Sequence, residues 1–110
     1  MYEYNAKILR VVDGDTIEVE LDLGFHLKYK NMIRLARINA DELRDGDPEK
    51  RNNAKKAKEY LTVLLPKDTS VVVLSKALDK YGRILGEILV NQLNVVDKLL
   101  EEKLVNLYGK

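Results

Sequence analysis

Lys7-Ile8-Leu9-Arg10-Val11-Val12-Asp13-Gly14-Asp15-Thr16-Ile17-Glu18-Val19-Glu20-Leu21-Asp22-Leu23 carries the pattern that decides the fold. Lys7 to Val12 is apolar and rich in β-branched side chains. It stops at Asp13-Gly14, a strong two-residue hairpin signal, because both central residues of such a turn must tolerate positive φ. Beyond it Ile17, Val19, Leu21 and Leu23 alternate with Glu18, Glu20 and Asp22, so the second strand has one apolar and one acidic face. Gly24 permits the next turn, and Phe25 to Ile38 is expected to form a third strand, long and bent. Together these make a three-stranded meander.

Outward from the meander, Asp41 to Asn53 turns polar, with Gly46 and Pro48 inside it, which marks a loop. Asp47 is placed to cap a helix whose first turn holds Pro48 and Glu49. Ala54, Ala57, Leu61, Leu64 and Leu65 share one face of that helix, Lys55, Lys56, Lys58 and Glu59 lie mostly on the other, and Pro66 ends it. Val71 to Leu74 and Ile84 to Val90 are β-branched runs separated by a turn at Asp79-Lys80-Tyr81-Gly82-Arg83. Asn94 caps a last helix with Asp97 three residues on, and Val95, Val96, Leu99, Leu100 and Leu104 form its apolar face. The order β-β-β-α-β-β-α predicts a five-stranded, partly open β-barrel with helices, the OB-fold.

The chain has 110 residues, which fits one domain over 1–110, since two halves would each be too small to bury a core easily. There is no cysteine, so a disulfide framework and a thiolate zinc site are both excluded. His26 is the single histidine, which excludes most multi-histidine metal sites. The polar start Met1-Tyr2-Glu3-Tyr4 lacks the form of a secretion signal, and no apolar run approaches the roughly 18 residues that span a membrane. A cytoplasmic or unassigned location is therefore expected, and a monomer is the expected state. Net charge is +1, so any phosphate binding must come from locally placed basic groups.

Three motifs follow in order: Asp13-Gly14-Asp15-Thr16; Ile33-Arg34-Leu35 with Asn39-Ala40-Asp41-Glu42; and Asp79-Lys80-Tyr81-Gly82-Arg83. Each alone is weak. In this order, on this layout, they resemble the staphylococcal nuclease (thermonuclease) family from about Ala6 to Tyr108. The resemblance implies cleavage of DNA and RNA phosphodiesters with one Ca²⁺, single strands being favoured. By position it makes Asp15 a metal-ligand carboxylate, with Asn39 and the backbone carbonyl of Ala40 completing the protein's metal site. Arg34 and Arg83 would grip the phosphate, and Glu42 would orient or deprotonate the attacking water. Lys80 and Tyr81 would face the terminal phosphate and sugar of a nucleotide, while Asp13 stands behind Asp15.

The chemistry is coherent on its own grounds. Two arginines offer permanently charged forks matched to phosphate oxygens. A hard divalent cation prefers carboxylate and carbonyl oxygens, and a nearby carboxylate can take the proton of an attacking water. The sequence departs from the family pattern at three positions. Asn39 stands where the family has a second ligand Asp, Ala40 where it has Thr, and Asp41 where it has Pro before the catalytic Glu. Asn39 keeps an oxygen and loses a charge, so weaker metal binding is expected, and Mg²⁺ or Mn²⁺ stay open beside Ca²⁺. Asp41 adds a neighbouring carboxylate but removes the φ restriction that would aim Glu42. The active-site loop is shorter than the family's, and a further C-terminal helix of longer relatives has no counterpart.

Taken singly, Asp13-Gly14 is a plain hairpin turn and Arg34 a partner for an acid in the barrel. The lysine cluster is a solvated helix face, and His26 an ordinary strand residue. Taken together, Asp15, Arg34, Glu42 and Arg83 are expected at one mouth of the barrel. The alternative is a non-catalytic OB module that binds single-stranded nucleic acid or a protein partner. Stacking aromatics are the usual device of such modules, and with aromatics at 6% and no tryptophan it is the weaker expectation.

Overall fold

A computed structural model describes residues 2–108, so Met1, Gly109 and Lys110 of the expected 1–110 span lie outside the described part. Strand β1 (Tyr2–Asp13) pairs antiparallel with β2 (Thr16–Asp22), and β2 with β3 (Lys28–Leu35). A short β4 (Ile38–Asn39) follows, then helix α1 (Pro48–Leu64). Strands β5 (Ser70–Leu78) and β6 (Ile84–Val90) form the second hairpin, and β5 also pairs with β1. A short β7 (Leu93–Asn94) leads into α2 (Val95–Glu101), and β8 (Asn106–Leu107) pairs back with β4. The main sheet runs β3-β2-β1-β5-β6, and parallel pairing of β3 with β6 closes it into a five-stranded barrel, consistent with the expected OB-fold.

Alternation decides what the barrel encloses. Ile17, Val19 and Leu21 on β2 are buried, as are Ile33 and Leu35 on β3, Val71 and Val73 on β5, and Ile84 and Ile88 on β6. Helix α1 starts on its Asp47 cap, whose carboxylate accepts the Glu49 amide at 2.9 Å. It buries Ala54, Ala57 and Leu61, the face its periodicity predicts. Helix α2 starts on Asn94, which accepts from the amides of Val96 and Asp97, and buries Val95, Val96 and Leu99.

Four expectations change. The first strand begins at Tyr2, because its first residues pair with β5. The expected third strand, Phe25 to Ile38, is broken twice. Its start is a tight turn in which Gly24, Phe25 and His26 all have positive φ, and Ala36-Arg37 separates β3 from β4. Helix α2 ends at Glu101, so Leu104 packs against the core from beyond it. Finally, Gly14 does not take the left-handed backbone expected of the Asp13-Gly14 turn. A β-bulge between Val11 and Asp13 supplies the local twist instead. Glycine is required there by crowding, since a Cβ would sit 2.7 Å from Cβ of Ala57 and 2.9 Å from Cβ of Ala40.

Candidate active site

The β1–β2 turn is fastened by Asp13, whose Oδ1 accepts the Asp15 amide at 3.0 Å, a local Asx turn. Burial pushes the Asp13 carboxyl up to about 6, helped by its hydrogen bond to Asp15 and by that neighbour's charge. Asp15 is buried, and both its oxygens have partners. Oδ1 accepts from the Thr16 hydroxyl at 3.1 Å, and Oδ2 from the Ala40 amide at 2.9 Å.

Arg34 is brought to this turn by the register of β3, because it pairs directly with Thr16. Its Nη2 lies 3.4 Å from Asp15 Oδ2 and donates to Asn39 Oδ1 at 2.7 Å, while Nη1 donates to the Leu35 carbonyl at 2.7 Å. Asn39 is exposed on β4, and Ala40, half-buried, meets Asp15 through its N–H. Asp41 accepts from the Asn53 side chain on α1 at 3.4 Å, which ties the following loop to the helix. Glu42 is exposed on that loop.

The β5–β6 turn supplies the remaining groups. Asp79 Oδ1 accepts the amides of Tyr81 and Arg83, both at 2.9 Å, and its Oδ2 accepts from Arg83 Nε at 2.7 Å. Gly82 has φ 79°, the left-handed conformation that glycine tolerates without cost. Lys80 Nζ and the Arg83 guanidinium lie 5.1 and 5.4 Å from the Tyr81 ring centroid, a cation–π cluster at the surface. The parallel pairing of Ile33 with Ile84 sets this turn beside Arg34.

Every candidate site residue lines one open cleft of about 1420 Å³: Asp13, Asp15, Arg34, Asn39, Ala40, Asp41, Glu42, Lys80, Tyr81 and Arg83. Arg37, Arg44, Leu85 and Tyr108 also line it, and sequence reasoning did not find them. Tyr108 arrives because its amide donates to the Arg37 carbonyl at 2.8 Å, a contact across the chain that no local pattern announces.

Among the described residues no three histidine, cysteine or acidic side chains stand close enough to hold a metal by themselves. The groups the resemblance assigns to a metal are all oxygen (the Asp15 carboxylate, the Asn39 side-chain oxygen and the carbonyl of Ala40), but here Asp15 takes the Ala40 amide and the Asn39 oxygen takes Arg34. That set suits a hard cation and brings a single full charge.

The sequence matches the staphylococcal nuclease homologue family over residues 32–109, and the chain belongs to that family. The chain is 39% identical over 94 residues to Endonuclease YhcR of Bacillus subtilis (strain 168), a match covering 79% of this chain and 7% of that protein. It is 34% identical over 89 residues to Protein ParB of Escherichia coli, covering 81% of this chain and 44% of that one. The chain thus spans less than half the length of either relative. The family match begins at Met32, so the Asp13–Thr16 turn lies outside it and joins the site through the pairing of Thr16 with Arg34. No helix among the described residues is long and apolar enough to cross a membrane.

Proposed function

We propose that this chain is a metal-dependent nuclease, monomeric and acting on single-stranded DNA and RNA, in which Arg34 and Arg83 clamp the phosphate and Glu42 activates water. The observation that carries the reading is the convergence of Asp15, Arg34, Glu42 and Arg83, from four separate stretches of sequence, on one cleft.

Arg34 and Arg83 compensate the charge that grows on phosphorus as a fifth oxygen approaches. A guanidinium has five N–H donors. The bonds of Arg34 to Leu35 and Asn39, and that of Arg83 to Asp79, leave several on each for phosphate oxygens. Their existing bonds hold the forks in place before substrate arrives, the preorganisation that makes electrostatic stabilisation effective. Glu42, exposed on the cleft loop, takes the proton from the water whose oxygen forms the new P–O bond as the opposite one breaks. A divalent cation, preferably Ca²⁺, held by Asp15, Asn39 and the Ala40 carbonyl would neutralise phosphate charge and polarise water. Lys80 and Tyr81 face the nucleotide beyond the cleaved bond, and Asp13 and Asp41 support the ligand turn from behind.

A second reading has one observation in its favour: the position that would carry the second acidic ligand is Asn39, and its oxygen is already engaged by Arg34 at 2.7 Å. The chain would then be an OB module that binds nucleic acid without cutting it. Cleavage of labelled single-stranded DNA across a Ca²⁺ titration, with an EDTA control, separates the two. The nuclease reading expects saturable, chelator-sensitive cleavage that falls about 10²- to 10⁴-fold in Glu42→Gln and about 10²- to 10³-fold in Arg83→Ala. Equal turnover in both variants would remove the mechanism. Binding that ignores cations, without any turnover, would establish the second reading.

A further inference from the structure

Between β3 and β4 the chain turns within two residues, Ala36 and Arg37. Arg37 has φ 72°, in the left-handed region that a residue with a Cβ ordinarily avoids. Backbone bonds fasten the turn on both sides. The Ala36 amide donates to the Gly86 carbonyl at 2.8 Å, and the Arg37 carbonyl accepts the Tyr108 amide at the same distance.

The side chain adds a third anchor. Arg37 Nη2 lies 2.6 Å from Glu87 Oε1 on β6 and 2.8 Å from Asp97 Oδ1 on α2. Glu87 is only 8% exposed, and its carboxylate also takes Asn94 Nδ2 at 3.0 Å and Lys76 Nζ at 3.2 Å. A carboxylate this buried and this fully partnered is a fixed post, unlike an exposed ion pair. Arg37 lines the cleft, but its guanidinium is committed to two acids and so is poorly placed to serve as a phosphate ligand.

What the elbow controls lies two and three residues further on. Asn39 reaches Arg34, and the Ala40 amide reaches Asp15. An unfavourable backbone conformation that persists because surrounding contacts over-determine it is a common device for aiming functional groups.

We propose that Arg37 is a positioning residue: its ion pairs to Glu87 and Asp97 hold the left-handed elbow that delivers Asn39 and Ala40 to Asp15. The consequence for metal binding rests on the nuclease reading, whereas the placement of Ala40 does not. Arg37→Gly allows the left-handed backbone while removing the ion pairs, and Arg37→Gln removes the charge while keeping a side chain of similar reach. Amide hydrogen exchange at Ala40, compared with the barrel amides of Val19 and Ile88, is measured in both variants beside a substrate-free Ca²⁺ titration.

The expected result is exchange at Ala40 faster by about tenfold in both variants with the barrel amides unchanged. The Ca²⁺ midpoint should rise about tenfold, as when a supporting partner of a metal ligand is lost. Unchanged protection at Ala40 in Arg37→Gly would overturn the proposal, because backbone conformation alone would then set the elbow. Uniform loss of protection across the barrel would overturn it too, leaving Arg37 a general stabiliser. If the wild-type protein takes up neither Ca²⁺ nor Mg²⁺ nor Mn²⁺, the nuclease reading fails, and exchange at Ala40 still decides the role of Arg37.

Discussion

Asn39 is the residue on which the strength of the site turns. Its side-chain oxygen accepts from Arg34 at 2.7 Å, and on the nuclease reading a cation would have to share that oxygen, which carries no charge. Asn39→Asp is isosteric and adds a carboxylate beside Asp15 and Arg34. Ca²⁺ affinity depends on ligand charge count, so the midpoint for cleavage or for direct Ca²⁺ binding should fall on the order of tenfold. A midpoint that stays in place would mean that Asn39 is not a ligand. Gly14 shows a different kind of constraint at the same scale. Its lack of a side chain lets Ala57 and Ala40 close on the Asp13–Asp15 turn, so helix α1 and the segment after β4 share one contact. Asp-Gly was visible in the sequence as a turn. That glycine serves close packing there was not, because neither neighbour is near in sequence.

Among the elements, β6 and α2 are joined by Glu87, and that joint has a pH signature. Burial alone would raise the Glu87 carboxyl, but hydrogen bonds from Arg37, Asn94 and Lys76 outweigh it and hold the group below its ordinary 4.5. A carboxyl with a lowered folded-state pKa binds fewer protons folded than unfolded. Its stabilisation is therefore present above about pH 4.5 and is lost as pH falls through the folded value. Thermal melting from pH 7 down to pH 3 should show a shallower acid limb in Glu87→Gln than in the wild type, with the variant less stable at pH 7. Parallel curves would show that the ion pairs contribute nothing to folding. The elements themselves were largely legible. Alternation in Ile17 to Leu21, the Asp47 and Asn94 caps, and the Ala54-Ala57-Leu61 stripe are local signals that the structure repeats. The third strand was misjudged because Phe25, His26 and Arg37 take positive φ although none is glycine, a choice imposed by turn closure and distant partners.

For the whole molecule, a net charge of +1 means that any attraction to nucleic acid must come from a few placed groups. On the nuclease reading, contacts from Arg34, Arg83 and Lys80 would give a slope of about −2 for log affinity against log salt, at roughly −0.7 per phosphate on a single strand. Fluorescence anisotropy of a labelled single strand with Glu42→Gln, which binds without cutting, gives that slope. A value near −5 would show that the lysines of α1 share the load. The sequence by itself determined the order of the main strands and helices, the apolar faces that form the core, and the motifs that resemble the family, two of which lie within the matched residues. Those signals lie within a few residues of one another and follow from side-chain alternation, helical period and capping chemistry. Only the tertiary structure decided that β3 closes against β6 in parallel, which brings Arg34 and Arg83 to one cleft. It also decided that Arg37 reaches Glu87, 50 positions away, and that Tyr108 returns to the cleft. Each of these depends on closing the barrel, and closure joins residues whose separation along the chain leaves no local pattern to read.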